Sequence, residues 1–224
     1  MVEVIEPGKG EVFDVELEEN LLAENRRLAD VNKDLFEAKG IRTFDVMGAI
    51  GSGKTTLLEH MIENLKSRYR IAVIEGDITT TIDADLIARH GVRVVQINTG
   101  KECHLDANLV GKALTRLDID KLDLLFIENV GNLICPAEFP LGSEKRVVVT
   151  SVTEGPYIIV KHPLIFMGAD VVVLNKIDLS EAMGTRIDNL RKDISNINPK
   201  AIVVPTNCRN GIGIMEVISA LGLS

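Results

Sequence analysis

The sequence has no excess of basic residues: 25 lysines and arginines stand against 33 aspartates and glutamates, for a formal net charge of −8. A surface that neutralises nucleic-acid phosphates needs the opposite balance, so a nucleic-acid partner is not expected. No apolar run approaches the roughly 18 to 20 residues that span a bilayer, and the first residues lack the basic-then-apolar order of a secretory leader. A cytoplasmic protein with no membrane partner is the expectation. Cysteine is also scarce, with three in 224 residues. An odd number in a chain of this size does not build a disulfide framework, which leaves the thiols as packing residues, nucleophiles or metal ligands. Internal repeats, low-complexity tracts and a histidine-rich tail are absent as well.

The chain does carry an apolar fraction of 46%, enough for a sizeable buried core. Residues 1–40 read as a segment apart. Pro7, Gly8 and Gly10 fall without periodicity, as a loose start or an edge segment. Leu17, Leu21, Leu28, Val31 and Leu35 then recur at three-, four- and seven-residue steps among charged residues, which predicts an amphipathic helix ending near Gly40. Such a helix either packs on the rest of the chain or binds a partner.

Residues 41–224 alternate between two kinds of segment. Apolar, β-branched runs stand at Arg42–Met47, Ile71–Ile74, Val92–Ile97, Leu122–Ile127, Arg146–Ser151, Val171–Leu174 and Ala201–Val204, separated by stretches of helical length or period. The alternation predicts an α/β fold, a mostly parallel central sheet with helices on both faces. Runs as continuous as Leu124-Leu125-Phe126-Ile127 suit strands buried on both sides. In such a sheet the ligand lies at the carboxyl ends of the strands, so the polar residues that follow each run are the candidates for function.

The first run leads into Gly48-Ala49-Ile50-Gly51-Ser52-Gly53-Lys54-Thr55, a complete phosphate-binding loop. A helix carrying Thr56, Leu57, Leu58, Met61, Ile62 and Leu65 follows. Gly48, Gly51 and Gly53 let the backbone curl so that the N–H groups around Ser52, with the helix N-terminus, face a triphosphate. Lys54 is placed to reach the outer phosphates and Thr55 to hold Mg2+. Beyond the second run, Asp77 and Asp83 suit Mg2+ or the ordering of an attacking water, and Asp83 alternatively caps the next helix. Glu128 followed by Gly131 resembles the D-x-x-G element of GTPases, where a glycine admits a γ-phosphate and the carboxylate acts on the metal. Asn175-Lys176-Ile177-Asp178 resembles their base-reading N-K-x-D element. Asp178 can accept from the ring N–H and exocyclic amine of guanine, Asn175 braces the loop, and the Lys176 stem can lie across the base, which favours GTP over ATP. The contacts of the last loop, residues 205–211, stay unassigned.

Cys103 and His104 are adjacent after the third run, and Cys135 lies seven residues beyond Glu128. Two thiolates and an imidazole suit Ni2+ or Zn2+. One chain supplies only three such ligands, so a closed tetrahedral site takes a water or a second subunit.

The runs M-G-A-I-G-S-G-K-T, N-T-G-K-E-C-H-L-D-A, F-I-E-N-V-G-N-L-I-C-P, S-V-T-E-G, K-H-P and N-K-I-D occur in this order. Together they closely resemble the HypB family of hydrogenase nickel-incorporation GTPases, over nearly the whole chain from about Asn32 onward. The resemblance implies a phosphate-loop GTPase of the class that also holds the nitrogenase iron protein. It implies a homodimer promoted by GTP and metal, serving the [NiFe]-hydrogenase large subunit with a companion nickel chaperone of the HypA type. By position, it assigns Cys103, His104 and Cys135 to a metal site at the dimer interface. Lys54, Asp77, Asp83 and Glu128 fall to the acidic and catalytic positions, and Asn175, Lys176 and Asp178 to the guanine. No N-terminal cysteine motif or histidine-rich stretch is present, so nickel storage is not expected. Ala49 replaces the second loop lysine of related ATPases, and Lys161 keeps a basic position that either reaches the partner subunit or is simply solvated. A urease-type accessory GTPase is the nearest rival reading, although that family carries C-P-H. A nucleotide-gated scaffold with little turnover is the other.

Overall fold

The computed structural model describes residues 15–223, with side chains from Glu19 onward. Pro7, Gly8, Gly10 and the Leu17 side chain lie outside the described residues. Seven strands form one sheet: β1 (Arg42–Gly48), β2 (Ile71–Asp77), β3 (Arg93–Asn98), β4 (Leu124–Glu128), β5 (Lys145–Ser151), β6 (Val171–Asn175) and β7 (Ile202–Pro205). Their order is β3-β2-β4-β1-β5-β6-β7, and every pairing is parallel. Each expected strand is present, shifted at its ends by a residue or a few. The buried middle of the sheet coincides with the continuous apolar runs, since β4 and β6 are buried along their whole length.

Two layers of helices cover the sheet. On one face α2 (Lys54–Leu65) buries Leu57, Leu58, Met61, Ile62 and Leu65. They pack against Phe44, Val73, Phe126 and Val171, together with α9 (Ile214–Ala220). Each of these α2 side chains contributes roughly 1.5–3 kcal/mol by leaving water. The opposite face carries two separate apolar clusters. One joins α1 (Val15–Lys39) and α4 (Ala107–Leu114) to β2 and β4 through Phe36, Val110, Leu114, Ile74 and Leu125. The other joins α6 (Ile158–Lys161), α7 (Pro163–Met167) and α8 (Ile187–Ile197) to β5 and β6 through Ile159, Phe166, Leu190, Val148 and Val172. Between them, on β1 and β5, runs a polar seam of Asp45 paired in register with Arg146.

The N-terminal helix forms, but its buried stripe is shifted from the expected one, of which Leu28 and Leu35 are half-buried. Leu21 and Val31 are 57% and 53% exposed, whereas Asn25, Ala29, Asn32 and Phe36 are buried. The docking surface explains the change: Phe36 and Leu35 join the apolar cluster, whereas around Asn25 and Asn32 the surface presents buried backbone N–H and C=O groups. Asn25 accepts from Ala107 N–H at 2.8 Å and donates to the Pro140 carbonyl at 2.9 Å. Asn32 donates to the Ala107 and Leu141 carbonyls at 2.8 and 3.3 Å. Buried amides with such partners are satisfied, and apolar residues in their place would take these partners from the Pro140 and Leu141 carbonyls and the Ala107 N–H.

Candidate functional site

A cavity of about 720 Å3 opens at the carboxyl ends of the strands, lined by the phosphate-binding loop, the ends of β2 and β4, and the loops after β6 and β7. The loop is held from behind by residues of the N-K-x-D segment. Asn175, 3% exposed, donates to the Ser52 carbonyl at 2.8 Å, and Lys176 Nζ donates to the Gly51 carbonyl at 2.7 Å. The Asn175 Oδ1 accepts from Thr206 Oγ1 at 3.1 Å and Cys208 N–H at 2.9 Å. One amide therefore ties the phosphate loop to the last loop, whose Asn207, Cys208 and Arg209 line the cavity. Gly53 caps α2 at φ +104, and any Cβ there would collide with Asn175 Nδ2. Both the conformation and the close approach require glycine. Thr56 and Asp178 also face the cavity, Asp178 as an exposed carboxylate.

Lys54 is buried, with Nζ 4.0 Å from Glu128 Oε1, which also accepts from Thr55 Oγ1 at 2.8 Å. Burial pushes Glu128 up to about 7 against the opposing pull of Lys54 and Thr55. Glu75 stands beside it in register on β2. Burial, reinforced by Glu128, Asp83 and Asp77, pushes Glu75 up to about 8. Burial also acts upward on Asp77, but hydrogen bonds from the Thr80 and Thr79 N–H groups, at 2.9 and 2.8 Å, outweigh it and hold that carboxyl below its usual range. Glu75, Asp77 and Asp83 bring oxygen atoms within 4.8 Å of one another. Glu75 Oε2 and Glu128 Oε2 are buried with no hydrogen-bond partner among the described residues. All-oxygen donors with unspent lone pairs fit a hard divalent cation such as Mg2+. Asp83 does not cap a helix: α3 (Ile82–Ala88) has Thr81 at its N-cap, and Asp83 sits in the first turn.

The second cluster lies on two loop arms. Cys103 and His104 precede α4, and Cys135 opens the short helix α5 (Cys135–Glu138). Ligand atoms of the three fall within 4.8 Å of one another, and the two Sγ atoms are 2.9 Å apart. His104 stacks on Phe139 with ring centroids 3.8 Å apart. Burial holds the imidazole below its usual range despite Glu102, Asp106 and Glu138 nearby, so it stays neutral, with Nδ1 buried and without a hydrogen-bond partner among the described residues. Burial and then the Cys103 thiol push Cys135 up. Two thiols and a neutral imidazole converging on one point fit a soft or borderline ion, nickel or zinc. Cys208 is remote in role, packed in the core beside α2 and α9.

One connection serves both clusters. It begins at Glu128, and Gly131 packs so closely on Ile50 of the phosphate loop that a Cβ would overlap it. Asn132 bridges to Gly48 and donates to the Cys103 carbonyl at 3.2 Å, and the segment ends at Cys135. Lys161, the last residue of α6, is exposed. Sequence reasoning passed over Glu75, Asn132, Asp45, Asn129 and Arg146. For Glu75 and Asp45 a signal existed, a carboxylate within an otherwise apolar, buried parallel strand. Asp45 is pushed up to about 6 by burial, with Arg146 and Asn129 opposing.

The sequence model of the CobW/HypB/UreG nucleotide-binding domain family matches residues 43–205. A relative from Methanocaldococcus jannaschii, described as a probable hydrogenase maturation factor HypB, is 52% identical over 204 residues, covering 91% of this chain and 92% of that one. The crystal structure of the hydrogenase maturation factor HypB from Archaeoglobus fulgidus superposes with a TM-score of 0.83 at 43% identity, covering 89% of this chain and 98% of that one. HypB from Helicobacter pylori, crystallised in complex with nickel, gives a TM-score of 0.83 at 34% identity over 88% of this chain and 93% of that one.

Proposed function

The chain belongs to the HypB family of hydrogenase maturation factors, and from that membership we propose that it is a GTP-hydrolysing metallochaperone coupling nucleotide state to nickel delivery into [NiFe]-hydrogenase. The observation that carries the reading is the connection 128–135, which touches the phosphate loop at Gly48 and Ile50 and ends on Cys135 of the soft-metal cluster. A γ-phosphate accepting a hydrogen bond from the Gly131 N–H draws that connection inward, and Cys135 moves with it.

In this reading the N–H groups around Gly51, Ser52 and Gly53 hold the phosphates, and Lys54 neutralises charge that builds on the outer ones. Thr55, Asp77, Asp83 and Glu128 would hold Mg2+, which supplies charge neutralisation for phosphoryl transfer when bound. Asp178 reads guanine from a loop that Asn175 keeps rigid. No histidine or glutamine stands beside Gly131 in sequence to orient an attacking water, so unassisted turnover is slow. Nickel is cargo at Cys103, His104 and Cys135. A second copy of the chain, promoted by GTP and metal, completes the ligand set across a dimer interface. A HypA-type chaperone is the companion and the hydrogenase large subunit the recipient, in the cytoplasm. No described helix is long and apolar enough to cross a membrane.

Turnover of GTP and ATP, each with and without Ni2+, tests the proposal. It predicts slow hydrolysis confined to GTP and altered by nickel. Equal turnover of both nucleotides, or indifference to nickel, would overturn it.

A further inference from the structure

The seam between the two apolar clusters of the sheet ends at the soft-metal site, and it reaches both arms. Asn129 is buried, and its Oδ1 accepts from the Leu105 N–H at 3.0 Å and the Val130 N–H at 3.1 Å, while its Nδ2 donates to Asp45 Oδ1 at 3.3 Å. Arg146 Nη2 donates to the Pro136 carbonyl at 2.6 Å and the Ala137 carbonyl at 3.3 Å, and its Nε lies 3.9 Å from Asp45 Oδ2. Leu105 immediately follows His104, and Pro136 immediately follows Cys135. Each tether is therefore one residue from a candidate ligand.

Stability alone is a poor account of this arrangement. Asp45 is fully buried and the Arg146 side chain is 20% exposed, and a charge pair taken largely out of water is often no better than well-packed apolar residues of the same volume. Here the pair is stretched to 3.9 Å, and Asp45 Oδ2 and Arg146 Nε both lack a hydrogen-bond partner among the described residues. What the chain does achieve is geometric. It fixes the separation of two loops from two neighbouring strands of a rigid sheet, and Asn129 directly follows Glu128, the carboxylate bonded to Thr55.

We infer that Arg146, Asp45 and Asn129 are positioning residues of the soft-metal site, a buried relay that sets the distance between the Cys103-His104 arm and the Cys135 arm. This rests on the metal reading of those three ligands under "Proposed function" and deepens it. The relay does to the loops what carboxylates and carbonyls do to individual ligands at metal centres, where removing the supporting partner costs about 10- to 100-fold in affinity.

Two variants test it. Asp45→Asn/Arg146→Met removes both charges together, so neither is left buried and unpaired. Arg146→Lys keeps a positive charge opposite Asp45 but loses the fork that spans the Pro136 and Ala137 carbonyls. Each is compared with the full-length wild type, nucleotide-free, by Ni2+ titration and the nickel–thiolate absorption band, alongside GDP affinity and thermal unfolding. The expected result is nickel affinity lower by about 10- to 100-fold and a shifted thiolate band in protein that still unfolds cooperatively, with GDP affinity within about twofold of wild type. Arg146→Lys decides the matter if the double variant does not fold. Wild-type nickel affinity and spectrum in both variants would overturn the inference, as would a drop in melting temperature alone. Should Cys103→Ala bind nickel as tightly as wild type, the metal reading fails first and the relay falls with it; a Cys103→Ala defect without a relay defect sinks the relay only.

Discussion

Replacing Asn175 with alanine tests whether one amide holds the nucleotide pocket together. Its three hydrogen bonds, to the Ser52 carbonyl and from Thr206 Oγ1 and Cys208 N–H, are 2.8, 3.1 and 2.9 Å long. The Thr206 hydroxyl can turn to Cys208 Sγ, 3.5 Å away, but the Ser52 carbonyl and Cys208 N–H lose the Asn175 partner in a buried setting. At about 1–3 kcal/mol for each orphaned group the cost is roughly 2–6 kcal/mol. Water entering from the adjoining cavity repairs part of it, which sets the expectation at about 2–4 kcal/mol. For a chain of this length, about 2–4 °C per kcal/mol translates that into a melting temperature lower by roughly 4–16 °C. Thermal unfolding of nucleotide-free protein measures the loss, and GDP titration should show weakened binding, because Ser52 and Gly53 are no longer braced. Asp178→Asn is the comparator. Its side chain is exposed, so stability should change by less than about 0.5 kcal/mol, while preference moves from guanine towards xanthine, which presents a carbonyl in place of the amine. An Asn175→Ala protein that melts within about 2 °C of wild type would refute the reasoning.

The remaining predictions concern protons, thiols and the N-terminal helix. Glu75 and Glu128 have folded-state values raised from 4.5 to about 8 and about 7. The folded apo protein therefore binds these protons more tightly than the unfolded chain. Their stabilising contribution is complete below the unfolded value and disappears as pH rises through 7 and 8. Unfolding across that window should show the decline, and Glu75→Gln should flatten it. Because Cys135 is pushed up and thiols must lose protons to bind, nickel affinity should weaken as pH is lowered; Cys103→Ala should abolish tight nickel binding while GDP affinity stays near wild type, both by titration. Asn32→Leu removes the donor to the Leu141 carbonyl and a second donor to the Ala107 carbonyl and should cost about 1–3 kcal/mol, whereas Leu21→Ser, on an exposed position, should stay within about 0.5 kcal/mol, as unfolding curves would show.

The contrast between Asn32 and Leu21 marks where the sequence was legible. Strands were readable because a parallel strand covered on both faces needs an unbroken apolar run, and Val171–Leu174 can be little else. The phosphate loop and the N-K-x-D segment were readable because backbone curvature and base recognition each constrain several adjacent residues. The facing of the first helix escaped the hydropathy pattern because hydropathy counts asparagine as solvent-facing, while Asn25 and Asn32 here meet buried backbone groups of Ala107, Pro140 and Leu141. Glu75 and Asp45 escaped notice for a related reason: a carboxylate inside a strand has meaning only once neighbouring strands show what it faces, Glu128 in one case and Arg146 in the other. That Cys103, His104 and Cys135 meet could not be obtained from local pattern either, since the arms are 32 positions apart; resemblance to a family supplied it, and the fold brings the atoms together.

Nickel affinity measured on the same preparation in its GDP state and with a non-hydrolysable GTP analogue tests the central claim most directly. Coupling through residues 128–135 predicts affinities that differ by roughly 5- to 150-fold, with nickel shifting the affinity for the analogue relative to GDP by the same factor. Equal nickel affinities in the two states would contradict it.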